Sequence, residues 1–426
     1  MSNQASEPKA IDGQKISWLK RIGPGLIVAA TGVGAGDVVS GTVSGGNYGL
    51  VLLWAVAFGA FFKFVLAEGV GRWQLATGES ILEGWANHMP AWVKIYFGIF
   101  ICFWSVTVSA ALASACGLGI ETLTGGAVDR TTGAIAHSLI GFAIVWKGGF
   151  TGFEKIMNTL TFIMFGSIIL CAAFIFQDPI GTLKGLMIPT IPSGSGVYVL
   201  SIMGGLGGTI TLMSYNYWMR EQDISGPAYL RYIRIDLSIA YILTGLFVAA
   251  VMVISNQAFH VPGVPVTDAE AVTGMAGKLS ETLGPIGFYS YAIGFWAAVF
   301  TSLLGVWQSI PYIFADYYGV IRRFPSNVRK EVTKVTSTPY RIALTYMSLV
   351  PIPFILMGRP LLLIVIYTVV SSLFVPFLAG TILYLNNRVA WSSPIPRNST
   401  STNVVIVIVL LLFATVGVME IMDAIG

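Results

Sequence analysis

The sequence predicts an all-α integral membrane protein, and its composition and its apolar runs are the basis for this. The 426-residue chain is 55% apolar and only 10% charged, too little charge to cover a soluble domain of this size. Uncharged runs such as 160–176 and 404–419 approach the roughly 20 residues with which a helix crosses a bilayer. They lack the alternation of barrel strands. Because lipid satisfies no backbone polar group, these runs are predicted to be helices.

We predict eleven membrane spans joined by short linkers in a single domain. They cover residues 23–46, 49–76, 91–118, 131–149, 154–177, 196–219, 232–256, 283–316, 339–357, 360–386 and 404–424. A tail (1–22) precedes a ten-helix core (23–386), and residues 387–426 form a loop and the eleventh helix.

Lys and Arg residues collect on one side of these spans. They are dense in the tail and in the loop 322–341, and loops of this kind face the cytoplasm. The N-terminus is therefore predicted to be cytoplasmic, and an odd number of spans puts the C-terminus outside. We expect a bacterial inner membrane, with the lipid bilayer as a partner; the sequence leaves the oligomeric state open.

The first span carries signs of a broken helix. Gly32, Gly34 and Gly36 occupy alternate positions in mid-span and Asp37 follows them. Each glycine weakens a helix by about 1 kcal/mol relative to alanine, and a carboxylate deep in a bilayer needs a partner or water. An unwound stretch with an anionic ligand is predicted here.

The sixth span has the same character. Glycines in 204–208 precede the polar interruption Ser214-Tyr215-Asn216. For either span alone, close helix packing through small residues is an equal alternative. Interruptions in spans one and six together predict two inverted five-helix repeats, 23–177 and 196–386, with a binding site at the midplane.

With these features the sequence resembles the Nramp family of divalent-metal transporters. The motifs that carry the resemblance are Gly23-Pro24-Gly25, Gly34-Ala35-Gly36-Asp37, Leu52-Leu53-Trp54, Ala76-Thr77-Gly78, Thr211 to Asn216, and Val369-Val370 with Val375-Pro376-Phe377. The resemblance implies a LeuT-like fold of ten core helices in two inverted repeats, with an eleventh helix.

The chain departs from the family pattern in its polar residues. The family's metal-binding aspartate falls on Gly34 and its asparagine on Asp37, so the carboxylate is displaced by three residues. Its methionine is retained as Met213, and its histidine becomes Tyr215. The span-ten glutamine falls on Thr368. The family's proton-linked acidic residues of span three fall on Ala111 and Ser114, so the family's proton coupling is not expected.

These positions give the candidate metal site. Asp37 is predicted to bind a cation, with carbonyls near Gly34 and the Met213 thioether; its alternative role is to cap the second half-helix. Met213 is either a ligand or a packing residue. Asn216 either bonds within the break or caps a half-helix.

Further polar residues are candidates for the pathway or its gate, together with Tyr215 and Thr368. Glu68 and Arg72 are spaced i,i+4 and can pair, as a gating network or as a solvated helix end. Lys63 is expected to snorkel toward the membrane surface. Gln308 lies in the predicted span eight.

The favoured function is a secondary transporter of a divalent cation of the Mn²⁺ or Fe²⁺ type, working by alternating access. The alternative is the same fold with Mg²⁺ or a small organic solute as substrate, and Na⁺ as a candidate coupling ion. An enzyme is not expected, because the sequence contains no P-loop, zinc motif or nucleophile elbow. Neither a cofactor nor a nucleic-acid partner is expected.

Overall fold

A computed structural model describes residues 23–147, 149–260, 266, 273–389, 391 and 393–425. The regular elements of these ranges are helices, as the sequence predicts. The helices are α1 (Pro24–Gly32), α2 (Ala35–Tyr48), α3 (Leu53–Thr77), α4 (Ile81–His88), α5 (Ala91–Leu123), α6 (Arg130–Lys147), α7 (Phe150–Ile175), α8 (Pro179–Met187), α9 (Gly196–Gly205), α10 (Thr211–Glu221), α11 (Leu230–Phe259), α12 (Thr273–Ile321), α13 (Ser326–Val332), α14 (Thr338–Leu349), α15 (Ile352–Ile355), α16 (Pro360–Arg388) and α17 (Thr400–Ile425). The predicted tail, 1–22, lies outside the described residues.

Several helices have the length and composition of membrane spans. Among the described residues, five are long and apolar enough to cross a bilayer alone, namely α3, α5, α7, α11 and α12. The pair α1 and α2 makes a sixth span with a bend of 57°. The remaining predicted spans coincide with α6, α9 with α10, α14 with α15, α16 and α17. The membrane fold is confirmed, whereas the total of eleven spans stays a prediction.

The half-helices α1, α2 and α10 lie inside the bundle, whereas α9 is partly exposed. α11 packs against α1, α2 and α3, and α12 packs against α1, α5, α7 and α10. Every residue of α1 except Leu26 is buried. The long apolar helices therefore surround the half-helices and separate their polar groups from lipid.

Both spans are broken as predicted, but the sixth is interrupted at its glycines, and the predicted polar interruption Ser214-Tyr215-Asn216 is wrong because these residues lie within the helix α10. α1 ends at Gly32 and α2 begins at Ala35, with Val33 in an extended conformation between them. α9 ends at Gly205, and five residues, 206–210, precede α10. Gly207 and Gly208 adopt φ of 69° and 75° there, a left-handed conformation that side chains other than glycine disfavour. The sixth span is thus broken by backbone geometry that its glycines permit.

Candidate functional site

The two breaks touch each other in the middle of the bundle. A Cβ atom added to Gly32 would lie 2.3 Å from the Gly207 carbonyl oxygen. A Cβ atom added to Gly208 would lie 3.2 Å from the Gly32 Cα atom. Because these contacts join backbone to backbone, neither chain can retreat by a side-chain rotation. The glycines at these positions thus let the two interrupted helices approach within van der Waals distance.

Asp37 lies at this junction and is only 7% exposed. Its Oδ2 atom accepts a hydrogen bond of 3.0 Å from the Gly34 N–H, and the Gly207 N–H also faces the carboxylate. Asp37 therefore has the predicted capping role at the start of α2, which holds its carboxyl group inside the bundle.

The carbonyl of Gly34, predicted as a ligand, has other partners. It accepts hydrogen bonds from the N–H groups of Asp37 at 3.2 Å and Val38 at 3.3 Å. Two helical hydrogen bonds use both of its lone pairs. Gly34 therefore shapes the break and orients Asp37, and its own oxygen is engaged in the first turn of α2.

Lys63 overturns the expectation that its amine reaches the membrane surface. The side chain is fully buried in α3, with 0% exposure. Its Nζ atom donates to the Gly204 carbonyl oxygen at 2.8 Å and also to the Gly208 carbonyl oxygen. The negative charge that acts on it is Asp37. The Lys63 amine therefore lies on the second break, within electrostatic range of the Asp37 carboxyl group.

The first turns of α10 carry buried polar atoms beside the second break. Met213 and Asn216 are 0% and 1% exposed. Both polar atoms of the Asn216 amide, and the hydroxyls of Thr209, Thr211 and Ser214, have no hydrogen-bond partner among the described residues. Since buried polar groups are normally paired, this surface is suited to a polar or cationic ligand.

Helices α12 and α16 complete the surroundings of the breaks. Ser302 Oγ donates to the Thr31 carbonyl oxygen at 2.7 Å, which fixes the last turn of α1 against α12. Tyr367 of α16 lies within electrostatic range of Asp37. The sequence analysis missed Tyr367, and only its place in the predicted tenth span was available as a signal. Thr368 lies in α16, and its side chain is outside the described set.

Gln308 takes part in the hydrogen bonds that join α10 to α12. Its Oε1 atom accepts from Trp218 Nε1 at 2.6 Å, and its Nε2 atom donates to the Tyr312 hydroxyl at 3.3 Å. The Tyr312 hydroxyl in turn donates to Glu221 at 2.5 Å. Together these bonds hold the C-terminal end of α10 against α12.

Glu68 and Arg72 form the ion pair that their spacing predicts, with Nη2 and Oε2 at 3.0 Å. Arg234 of α11 adds a second contact to Glu68 at 2.9 Å. Arg72 also donates to Asn398 at 2.7 Å, in the segment before α17. The pair therefore joins three parts of the chain, on the same helix as Lys63 and nearer the end of α3.

Tyr215 is anchored to α11. Its hydroxyl donates to Asp236 Oδ2 at 3.0 Å, and the same oxygen accepts from the Gly25 N–H at 2.8 Å. Asp236, which the sequence analysis did not single out, thus joins α1, α10 and α11. Tyr215 contributes to anchoring the start of the first half-helix.

A helical membrane protein whose two discontinuous helices meet at a buried polar junction has the architecture of a secondary transporter. The family model described as natural resistance-associated macrophage protein-like, Nramp, matches residues 25–423. The chain belongs to the Nramp family, whose members are membrane transporters and not enzymes.

Individual relatives are distant. The chain is 24% identical to the divalent metal cation transporter MntH of Chromohalobacter salexigens over 275 residues, 61% of this chain and 62% of that protein. It is 23% identical to MntH of Bacillus subtilis over 342 residues, 76% of this chain and 77% of that protein. The chain thus spans less than two thirds of the length of the first of these curated relatives.

Solved structures share the fold. A mutant of the Eremococcus coleocola manganese transporter superposes with a TM-score of 0.72 at 15% identity, over 97% of this chain and 89% of that one. MhsT in complex with L-phenylalanine superposes with a TM-score of 0.59 at 15% identity, over 92% of this chain and 97% of that one. The predicted LeuT-like fold is confirmed by these likenesses.

Proposed function

We propose that this protein transports a divalent metal cation, which binds where the two broken helices meet. The observation that carries the proposal is the buried Asp37 carboxylate at the contact between Gly32 and Gly207. A carboxylate is a ligand for any divalent cation. Membership of a family whose relatives are described as divalent metal cation transporters supports the same substrate class.

A transition metal of the Mn²⁺ or Fe²⁺ type is the substrate we favour within this class. Met213 lies in the first turn of α10 and is fully buried, and a thioether selects against Mg²⁺ and Ca²⁺. The unpaired oxygen atoms of Asn216, Thr209 and Thr211 offer further ligands of the kind that Mn²⁺ accepts. Within the described ranges no group of three or more His, Cys, Asp or Glu side chains is arranged for a metal.

Alternating access is the mechanism we propose. The bonds from Gln308 and Tyr312 to α10 close one end of the pathway. Opening that end requires α10 to part from α12, and the five-residue break before α10 is a natural hinge. Movement of a half-helix about such a break exposes a midplane site to one side at a time.

The placement of the chain in the membrane belongs to the same proposal. We place the N-terminus in the cytoplasm of a bacterial cell and the C-terminus outside, with the transporter core over 23–386. A reporter enzyme that is active only outside the inner membrane, fused after residue 426, tests this topology. Activity of the fusion is the expected result, and an inactive but well-expressed fusion contradicts an odd number of spans.

A small organic solute is the second candidate substrate, and Lys63 favours it. An ammonium group already bonded to the Gly204 and Gly208 carbonyl oxygens adds a positive charge near Asp37, which opposes a second cation. The N-termini of the half-helices α2 and α10 suit the anionic part of a solute.

Uptake of Mn²⁺ into proteoliposomes, with a pH dye inside, distinguishes these functions. We expect the wild type to take up Mn²⁺ without acidification. Asp37→Ala should lose at least about tenfold in uptake rate, equivalent to about 1.4 kcal/mol. Glu281→Ala, which removes an exposed carboxylate from α12, is the matched control and should match the wild type.

Other outcomes would redirect the proposal. Uptake with acidification would require a proton path through residues other than those of the family pattern. If the wild type neither binds nor transports Mn²⁺, the transition-metal substrate is wrong, and Mg²⁺ and then organic solutes are the next substrates to measure.

A further inference from the structure

The Lys63 side chain bridges the two sides of the second break. One acceptor, Gly204, belongs to the last turn of α9, and the other, Gly208, lies in the irregular segment before α10. Two carbonyl oxygens therefore converge on one cationic nitrogen. Carbonyl oxygens that converge in this way are the ligands with which unwound membrane helices bind monovalent cations.

The electrostatics of the junction resemble those of an occupied cation site. Lys63 is fully buried, so water does not solvate its amine. Among the charged groups of the described residues, Asp37 of α2 is the one that acts on it. Neither α9 nor α10 presents an acidic side chain to the break, since their first acidic residue, Glu221, is bonded to Tyr312.

We propose that the Lys63 ammonium is a tethered monovalent cation, which fills a cation site made by the Gly204 and Gly208 carbonyl oxygens. The chain thereby supplies from α3 what a sodium or potassium ion would otherwise provide. The inference deepens the proposed transport function, because it specifies that transport requires no monovalent metal ion at the second break.

Shared chemistry supports the assignment. A protonated amine and Na⁺ or K⁺ both carry one positive charge and take oxygen ligands. Truncating Lys63 at Cβ would leave two buried carbonyl oxygens without their donor and Asp37 without its counter-charge, and each loss is costly in a low-dielectric interior. A small cation that enters the space would correct both losses at once, whereas a neutral molecule would correct neither charge.

The wild type provides the first test, which requires no variant. The uptake rate and the thermal midpoint of the detergent-solubilised protein are measured in Na⁺, K⁺ and choline at equal ionic strength. We expect both quantities to be the same in the three salts. A wild type whose uptake depends on Na⁺ or K⁺ would overturn the proposal.

Chemical rescue provides the second test. Lys63→Ala should lower the thermal midpoint by about 5 °C or more in choline, and Na⁺, K⁺ or methylammonium should recover most of the loss. Lys63→Gln, whose amide occupies the space with a neutral donor, is the matched control and should respond to none of them. A folded Lys63→Ala protein that ignores all three cations would overturn the proposal.

These measurements separate this inference from the proposed substrate. The midpoints are recorded without a divalent metal, so rescue by monovalent cations is observable whether or not Mn²⁺ is transported. Rescue together with an absence of Mn²⁺ uptake supports the tethered cation and contradicts the metal substrate. Mn²⁺ uptake that depends on Asp37, combined with a Na⁺ requirement in the wild type, supports the metal substrate and contradicts the tethered cation.

Discussion

The two broken helices differ in which residues bond to the backbone groups that each break leaves unpaired. The first break is short, with Val33 and Gly34 between the half-helices, and it ends in its own capping carboxylate, Asp37. The second break is five residues long, contains two left-handed glycines, and has its carbonyls bonded to a lysine from another helix. The charged group bonded to the first break is three residues from it in sequence, whereas the charged group bonded to the second break is more than 140 residues away.

The conformation of the first break therefore depends on local sequence, and that of the second depends on tertiary packing. The Gly34–Asp37 cap forms as soon as α2 does, because donor and acceptor are three residues apart. The second break has the Gly204 and Gly208 carbonyl oxygens paired with Lys63 only where α3 packs against α9 and α10. We infer that the second break is the more sensitive to substitutions elsewhere in the protein, and three changes test this comparison.

The largest effect is expected where the two breaks touch. Gly32→Ala places a Cβ atom 2.3 Å from a backbone carbonyl oxygen of the other break, and a backbone cannot step aside as a side chain does. We expect a loss of about 3 kcal/mol in the free energy of unfolding, together with loss of uptake.

Gly166→Ala is the matched control for that change. The added Cβ on α7 meets nothing within 4 Å, so we expect equal or higher stability, by up to about 1 kcal/mol. Unfolding in urea of both proteins checks the difference. A Gly32→Ala protein as stable as Gly166→Ala would contradict the close contact between Gly32 and the Gly207 carbonyl oxygen.

The next largest effect concerns the charges that complete the two breaks. Asp37→Asn and Lys63→Gln each weaken the hydrogen bonds of a buried group and remove a charge that acts on the other, and we expect each to cost about 2 kcal/mol. The double variant removes both charges, so its loss should fall short of the sum by about 1 kcal/mol.

An exposed pair supplies the reference for this double-mutant cycle. Lys278 and Glu281 approach to 3.1 Å on the surface of α12, and exposed pairs of this kind couple weakly. Unfolding free energies of both sets of variants are compared. Strict additivity of Asp37→Asn and Lys63→Gln would show that the two breaks are electrically independent and would contradict an interaction between Lys63 and Asp37.

The same contrast explains what the sequence could predict. Helical spans and the first break follow from local patterns, because apolar length and glycine spacing act over a few residues. The Glu68–Arg72 pair was predictable for the same reason, since i,i+4 residues share a helix face. The domain division at residue 386 follows from the span count and stays a prediction.

The partners of the second break were not predictable in this way. No opposite charge stands three or four residues from Lys63 in sequence, and a lysine in a long helix normally reaches the surface. Its partners are backbone carbonyl groups, which every residue type carries, so the sequence does not reveal them. Asp236 and Tyr367 were missed for a related reason, since each acts on a half-helix from a distant part of the chain.

The smallest effect is expected at Tyr215, which tests whether this residue belongs to the pathway or to the scaffold. Tyr215→Phe removes one hydrogen bond to Asp236, whereas Asp236→Ala also removes the acceptor of the Gly25 N–H. We expect Tyr215→Phe to cost about 1 kcal/mol of stability and to leave Mn²⁺ uptake near that of the wild type. Asp236→Ala should cost roughly twice as much, because two donors lose their acceptor. Uptake abolished by Tyr215→Phe in a stable protein would instead place its hydroxyl on the pathway, and would extend the functional region from the second break along α10.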